Sequence, residues 1–560
     1  MVSQKPQQML PLGGMTFREI RERNFLYADK TEYIHMMVGK YKSCFLTRPR
    51  RFGKTLLLDT IQELFRGERE HFKGLWIETD SDYAFEKHPV LRFSMGRYNE
   101  LSTKDDLIEC VKFDLMSAAT EQDVTISANN SGQMLGELLK GVSKKHGTGV
   151  VVLIDEYDAP VSRHIADRKL AYDNRDVLHD FYAALKDSYM YVRFALVTGI
   201  TRFAMTSQDS GLNDFKDISL MSDFAGICGF TIPEFNKLFK NRFAETLRRL
   251  KAIGDIGQDA KQNDLKAKIL EWYDGYSWLG EHRVLNPYTI LNFFDKKMLR
   301  AYWPFSGQPS HLSALVREKP LDYIQPILDS YQTKGIVQVD LGRLEAVPVL
   351  FHSGYLTIDS RTRKEVTVQG ITFEDEAFTF RTPNREVDLN YKTFCFEQIF
   401  CRSDAYLSDF AKKIPNALQN KDSEETVSLL HDLLAGITYD QHEPSKSRYH
   451  SIIHAAFLVA GLEVLSEATG SDGRSYMTVF LKDMIRVVIE LKYLKSDKTK
   501  AKGNEGGEAQ EFAAALDDAE KQIKVNDYAR PHRAAGCKVI CLALAICGRN
   551  RVAARLFELE

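Results

Sequence analysis

A strand that runs into a basic, glycine-containing loop and straight on into an amphipathic helix leaves a chain few topologies. Residues 45–59, Phe-Leu-Thr-Arg-Pro-Arg-Arg-Phe-Gly-Lys-Thr-Leu-Leu-Leu-Asp, have that form and read as a phosphate-binding loop. The usual spacing is a glycine, four free positions and then Gly-Lys-Ser/Thr. Gly53, Lys54 and Thr55 fill the last three places, and Arg48 stands where the first glycine belongs. Gly53 lets the backbone approach phosphate oxygens, and the helix start offers unpaired amides to an anion. Lys54 is expected to contact the β and γ phosphates, and the Thr55 hydroxyl to ligate the accompanying Mg²⁺. Arg48, Arg50 and Arg51 add positive charge, although a β-carbon at the first position alters the turn.

Roughly a hundred residues on, Gly149-Val-Val-Val-Leu-Ile-Asp-Glu156 is a continuous apolar run ending in two acids, the pattern of a strand buried on both faces of a parallel sheet. Such a strand delivers Asp155 and Glu156 to the carboxyl edge of the sheet, where ligands bind in open α/β folds. Asp155 is expected to hold Mg²⁺ through a water, and Glu156 to orient or deprotonate the attacking water. The plainer alternative is a core strand capped by solvated acids. The two motifs in this order support each other, and ATP is the expected ligand. A further apolar run, residues 191–199, ends in Thr198-Gly-Ile-Thr-Arg202. Thr198 is a candidate sensor of the γ phosphate and Arg202 a candidate for stabilising transition-state charge, against a strand end and a surface arginine. With strands also expected at 41–47 and 89–94, alternating with helices, the pattern is a parallel, doubly wound sheet.

At 560 residues the chain is too long for one core. Its 75 Lys and Arg nearly balance 77 Asp and Glu, so any affinity for nucleic acid must come from a local patch. The first residues lack an apolar signal core, and no run reaches the ~18 apolar residues of a membrane span, so a cytoplasmic protein without membrane contact is expected. Eight cysteines without a Cys-x-x-Cys pair read as reduced core residues. A guanine-reading Asn/Thr-Lys-x-Asp motif is missing, since Asn236-Lys-Leu-Phe239 lacks the acid. A metabolite kinase would not need the long appended regions.

These phrases, with Leu153-Ile-Asp-Glu-Tyr-Asp-Ala-Pro160, Leu212-Asn-Asp-Phe-Lys-Asp-Ile-Ser219, Tyr273-Asp-Gly-Tyr276, Asn286-Pro-Tyr288 and Gly354-Tyr-Leu-Thr-Ile358, resemble the bacterial AAA-ATPase-like proteins that carry a C-terminal module of the PD-(D/E)XK nuclease superfamily. The resemblance makes Arg48 the family's own variant of the loop. It implies an α/β P-loop NTPase with a parallel doubly wound sheet over 1–230, a mainly helical lid or linker over 231–390, and a restriction-endonuclease-like α/β module with a helical lead-in over 391–560. ATP and Mg²⁺ are the implied cofactors, with DNA or RNA and a second copy of the chain as candidate partners.

In the middle region, helical spacing runs through 232–272, 286–294 and 312–331, and the aromatic cluster Trp272, Tyr273, Tyr276 and Trp278 reads as packed core rather than a base-stacking platform. Residues 381–386 mark a boundary, and helices are expected over 392–434 and 449–460. Strands are expected at 461–467, 473–481, 485–492 and 537–546. The strand period places Glu490 and Lys492 on one face. In a metal-dependent nuclease such a carboxylate binds Mg²⁺ while the lysine positions water, a meaning that rests here on the resemblance. The same superfamily places an aspartate three positions after Gly473, where this chain has Tyr476, and an acid three positions before Tyr449, where it has Lys446. Asp472 and Asp483 are the remaining candidates, with Asp483 at a hairpin tip. Residues 495–508, rich in glycine and charge, read as a flexible loop. Two readings follow: a nucleotide-controlled nuclease, or an ATP-driven switch whose nuclease-fold module only binds nucleic acid or protein.

Overall fold

The computed structural model describes residues 7–98, 101–165, 167–203, 214–303, 310–328, 331–334, 338–368, 371–437, 445–468, 475–495, 505–547 and 551–559. The chain divides into two compact units, one of Met1–Leu312 with Asp329–Asp388, the other of Ser313–Leu328 with Leu389–Glu560.

The first unit is built on five parallel strands, β1 (Ser43–Thr47), β2 (Val90–Ser94), β3 (Val150–Asp155), β4 (Val192–Gly199) and β5 (Lys216–Asp217), in the order β2-β3-β4-β1-β5. Every residue of β1 and β3 is buried, as their uninterrupted apolar sequences require. Because β4 lies between β1 and β3, the tips of the strands carrying Thr47, Asp155 and Thr198 come together at one edge. β1 leads through the 48–53 loop into the helix Lys54–Phe65, whose Leu57, Leu58, Ile61, Leu64 and Phe65 are buried. Gly53 sits at its N-cap with φ 94°, and a Cβ there would meet nothing within 4 Å. The glycine is needed for its left-handed backbone, not for space.

Residues 231–312 and 329–388 belong to this same unit. No unit boundary falls at 230, because Leu26 and Phe230 share one apolar cluster with Phe235, Phe239, Leu285 and Phe294. The expected helices are present as Ile232–Phe239, Phe243–Ile253, Gln262–Tyr273 and Pro287–Lys296. Two three-stranded sheets accompany them, one holding the long antiparallel pair Thr357–Val368 and Ile371–Arg381, which the sequence reading did not anticipate. Tyr273, Tyr276 and Trp278 are buried, as expected of core aromatics.

In the second unit, helices Asp404–Gln419, Ser423–Ala435, Lys446–Val459 and Glu505–Val525 accompany a five-stranded sheet. Its strands in spatial order are Glu463–Ala468, Ser475–Phe480, Ile485–Leu494, Lys538–Cys547 and Arg551–Glu558, all neighbours antiparallel except the central pair Ile485–Leu494 and Lys538–Cys547. The last strand was not foreseen. Asp483 and Met484 turn the hairpin at φ 55° and 60°, so Asp483 stands at its tip. Asp472, Gly473, Arg474, residues 496–504, and Leu212 and Asn213 lie outside the described residues. No described helix is long and apolar enough to cross a membrane.

Candidate nucleotide site and nuclease-fold site

The edge of the parallel sheet carries a chain of three side chains. Thr55 Oγ1 donates to Asp155 Oδ2 at 2.7 Å, and Thr198 Oγ1 donates to Asp155 Oδ1 at 2.9 Å. Asp155, 4% exposed, is thus oriented from both neighbouring elements. Lys54 is buried and donates to the carbonyls of Arg48 and Pro49 at 2.8 and 3.0 Å. Burial holds its ammonium below the ordinary value, opposed chiefly by Asp155. Arg50, Arg51, Gly53, Lys54, Thr55, Asp155 and Glu156 all line one cavity of ≈ 660 Å³, whose lining also includes the apolar side chains Leu26, Ile227 and Leu291. Its size and mixed lining suit a small-molecule ligand. The carboxylate and hydroxyl of Asp155 and Thr55 are hard oxygen donors of the kind Mg²⁺ takes, and a lysine in the loop suits phosphate.

Glu156 has a left-handed backbone, φ 52°, and its carboxylate stands 3.9 Å from the Arg163 guanidinium. Arg163 also donates to the Gly96 carbonyl at 2.8 Å. A Cβ on Gly96 would lie 1.8 Å from Glu156 Oε2, so the glycine leaves the space that the glutamate fills. Sequence reading passed over Gly96 and Arg163, since neither belongs to a spaced motif. It also left Tyr157 and Asp158 without a role. Asp158 accepts from the backbone amides of Ile200 and Thr201 at 3.0 and 2.8 Å, and Tyr157 Oη donates to the Thr201 carbonyl at 2.8 Å. The acidic strand's own continuation therefore fixes the loop after Thr198.

Two of the expected side chains lie away from this cavity. Arg48 does not face the cavity: it is 1% exposed, donates to the carbonyls of Thr47, Ser219 and Phe224, and lies 4.4 Å over the Trp278 ring. Burial pushes its pKa down to about 10. The side chain that replaces the first glycine pins the loop from behind. Arg202 does not line the cavity either; it pairs with Asp217 at 3.1 Å, on a two-residue strand with no sequence signature. Arg163 is the arginine placed beside Glu156. Arg51, φ 68°, lines the cavity with its guanidinium 5.2 Å over Tyr288. The loop is further held by Trp303, whose indole donates to the Arg50 carbonyl at 3.3 Å, and by Phe52 against Tyr276 at 4.8 Å.

In the second unit, Glu490 is 1% exposed and faces Lys446, with Oε1 3.1 Å from the ammonium. Lys492 Nζ lies 3.9 Å from the same oxygen, pairs with Asp518 at 2.6 Å and donates to Gln522. Burial raises the Glu490 pKa, against the opposing pull of Lys446. Tyr476 lies opposite Glu490 in the strand register, and its ring stacks on Tyr528 at 4.0 Å and 16°. Glu490 was expected to ligate Mg²⁺ with Lys492 beside it. The structure instead adds Lys446 from the helix Lys446–Val459, and no cluster of three His, Cys, Asp or Glu suited to a metal exists among the described residues. The sequence showed the missing acid at 446 but not that its replacement reaches Glu490.

A family described as predicted AAA-ATPase matches residues 11–208, and one described as PD-(D/E)XK nuclease superfamily matches residues 447–555. The chain is similar to an "Uncharacterized protein in vnfD 5′ region" of Azotobacter chroococcum mcd 1, at 31% identity over 487 residues, 84% of this chain and 87% of that protein. No solved structure matches the chain.

Proposed function

We propose, from the premise that the chain belongs to the AAA-ATPase-like family with a C-terminal PD-(D/E)XK nuclease-superfamily module, that its first unit binds and hydrolyses ATP and that nucleotide state governs how the module engages nucleic acid. The observation that carries the first half is the hydrogen-bonded chain Thr55–Asp155–Thr198 at the head of a cavity that also holds Lys54 and Glu156. When bound, Mg²⁺ neutralises charge on the β and γ phosphates. Thr55 and Asp155 are the residues that hold it, and Thr198 keeps the Asp155 carboxylate turned toward Thr55. Lys54 exchanges its two loop carbonyls for phosphate oxygens, a small movement of a side chain already in place. Glu156 takes the proton of the attacking water, and Arg163 steadies the charge that develops beside it. The base lies against the apolar side chains Leu26, Ile227 and Leu291 of the same cavity.

The test is steady-state ATP hydrolysis. Lys54→Ala, Glu156→Gln and Arg163→Ala are each expected to lower kcat by about 10²-fold or more, the usual cost of deleting a transition-state contact, while Arg202→Ala leaves kcat within about threefold. Turnover unchanged by Lys54→Ala would remove the proposal.

For the C-terminal module, the contact of Lys446 with Glu490 favours the second reading, a binding element that does not cut. Incubating the full chain with DNA and RNA substrates and Mg²⁺ or Mn²⁺, with and without ATP, separates the two. Cleavage lost in Glu490→Ala marks a nuclease, and intact substrate with continued ATP turnover marks a binder. A homo-oligomer is part of the proposal; sedimentation with and without ATP decides it.

A further inference from the structure

In the second unit an ammonium stands against the buried carboxylate of Glu490. Glu490 offers one oxygen to the Lys446 ammonium at 3.1 Å, and its other oxygen, Oε2, has no partner among the described residues. A hard divalent ion needs several oxygen ligands and more than one carboxylate. Here a neighbouring carboxylate, Asp518, is held by Lys492 at 2.6 Å, and the side chain cross-strand from Glu490 is the phenol of Tyr476, stacked on Tyr528. Tyr476 packs with Val488, Ile523, Ala529 and Cys541, so it is anchored in apolar core and not swung out to make room for a ligand. The residues present do not fit Mg²⁺. They do form a positive hollow: Ser445, Lys446, Lys492 and Lys495 line one open cavity together with Tyr493 and Asp518. Its lining holds three lysines against one carboxylate, Asp518, and Glu490 pairs with Lys446 beside it, so the balance is positive in a chain whose overall charge is −2. Lys446 uses one of its three donors on Glu490.

We propose that this hollow binds a phosphodiester group of nucleic acid without a metal ion, with Lys446 as the fixed cation, Lys495 as the second contact, and Glu490 as the carboxylate that positions Lys446. This rests on the reading that the module engages nucleic acid, and it adds that binding there is metal-independent and leaves the strand intact. The charge that meets the phosphate is supplied by an ammonium rather than by a metal ion. DNA and RNA share the phosphodiester, so both are probes.

The experiment is fluorescence anisotropy of the full chain with labelled single-stranded DNA and RNA of one sequence, in EDTA and in Mg²⁺. The expected result is one Kd in both buffers for whichever strand binds, no cleavage product, and a fall in affinity of about tenfold or more for Lys446→Glu. Lys446→Arg should bind within about threefold of the native chain. Each phosphate contact removed should flatten the log Kd against log salt slope by about 0.7, the value for single strands. Far-ultraviolet circular dichroism and hydrogen exchange in the strand Ile485–Leu494 report that the second unit of each variant is folded. Electron paramagnetic resonance with Mn²⁺, without nucleotide, gives an independent reading: Lys446→Glu combined with Tyr476→Asp should gain a bound ion that the native module does not hold. Binding that requires Mg²⁺, or cleavage abolished by Glu490→Ala, overturns the metal-free site and leaves nucleic-acid engagement standing. Failure of the native chain to bind either strand overturns both.

Discussion

Single side chains decide most of the chemistry, and two of them act from positions where their roles are invisible in sequence. Arg48 is a support: removing three charge-assisted hydrogen bonds to carbonyls makes Arg48→Ala cost about 2–4 kcal/mol of stability, so its thermal midpoint should fall. Glu386 is the second. It is 1% exposed and accepts from the Tyr302 and Trp303 amides and from Thr289 Oγ1, and burial raises its pKa from 4.5 to about 7. Between those values the folded chain retains a proton that the unfolded chain releases. The contribution is therefore full below about pH 4.5 and is lost as pH rises through about 7, a change of about 3 kcal/mol. Denaturation midpoints measured at pH 5 and pH 8 should differ by more in the native chain than in Glu386→Gln. Lys54, Thr55, Asp155 and Thr198 were legible as candidates because each stands at a fixed offset from an apolar run, and the run dictates the strand that carries it. Arg163 and Gly96 were not, because what places them is the backbone turn at Glu156. The pairing of Arg202 with Asp217 was not legible for a related reason: Asp217 sits on a two-residue strand too short to show a strand period.

At the scale of elements, the parallel sheet could be read almost strand by strand, since continuous apolar runs have one comfortable setting. The loops between them could not. Residues 155–158 and 198–202 grip each other, with Tyr157 and Asp158 closing on Gly199, where a Cβ would meet Tyr157 at 2.4 Å and Asp158 Oδ1 at 2.5 Å. This interlock explains why the two phrases come as a pair. Gly96→Ala offers a cleaner test of the site, because the atom it strikes is the far end of Glu156. It should lower kcat by about tenfold or more while leaving nucleotide affinity within about threefold, a split that steady-state kinetics with an ATP-binding measurement resolves. The long hairpin 357–381 escaped notice because its strands are rich in charged residues and lack the alternation of a half-buried strand.

On the scale of the molecule, the division falls at Asp388 with residues 313–328 going to the second unit, and an apolar cluster runs from Leu26 through Phe230 to Phe294. Composition marks where a chain changes character, not where a core ends. If nucleotide state governs the module, ATP must be felt beyond its own unit. ATP with Mg²⁺ at a hundred times Kd should stabilise the first unit by about 2.7 kcal/mol, and Lys54→Ala should abolish the gain in calorimetry. Hydrogen exchange in the strand Ile485–Leu494 should change with ATP; identical exchange in its presence and absence would end the control reading.

The loop of residues 48–53 rests on two of the chain's four tryptophans, Trp278 beneath Arg48 and Trp303 bonded to the Arg50 carbonyl. Ultraviolet emission from an indole shifts in colour and yield with the charge and hydrogen bonding around it. Occupancy of the loop should therefore be readable as light from the native chain, with no dye attached, and replacing Trp303 by Phe should darken that signal.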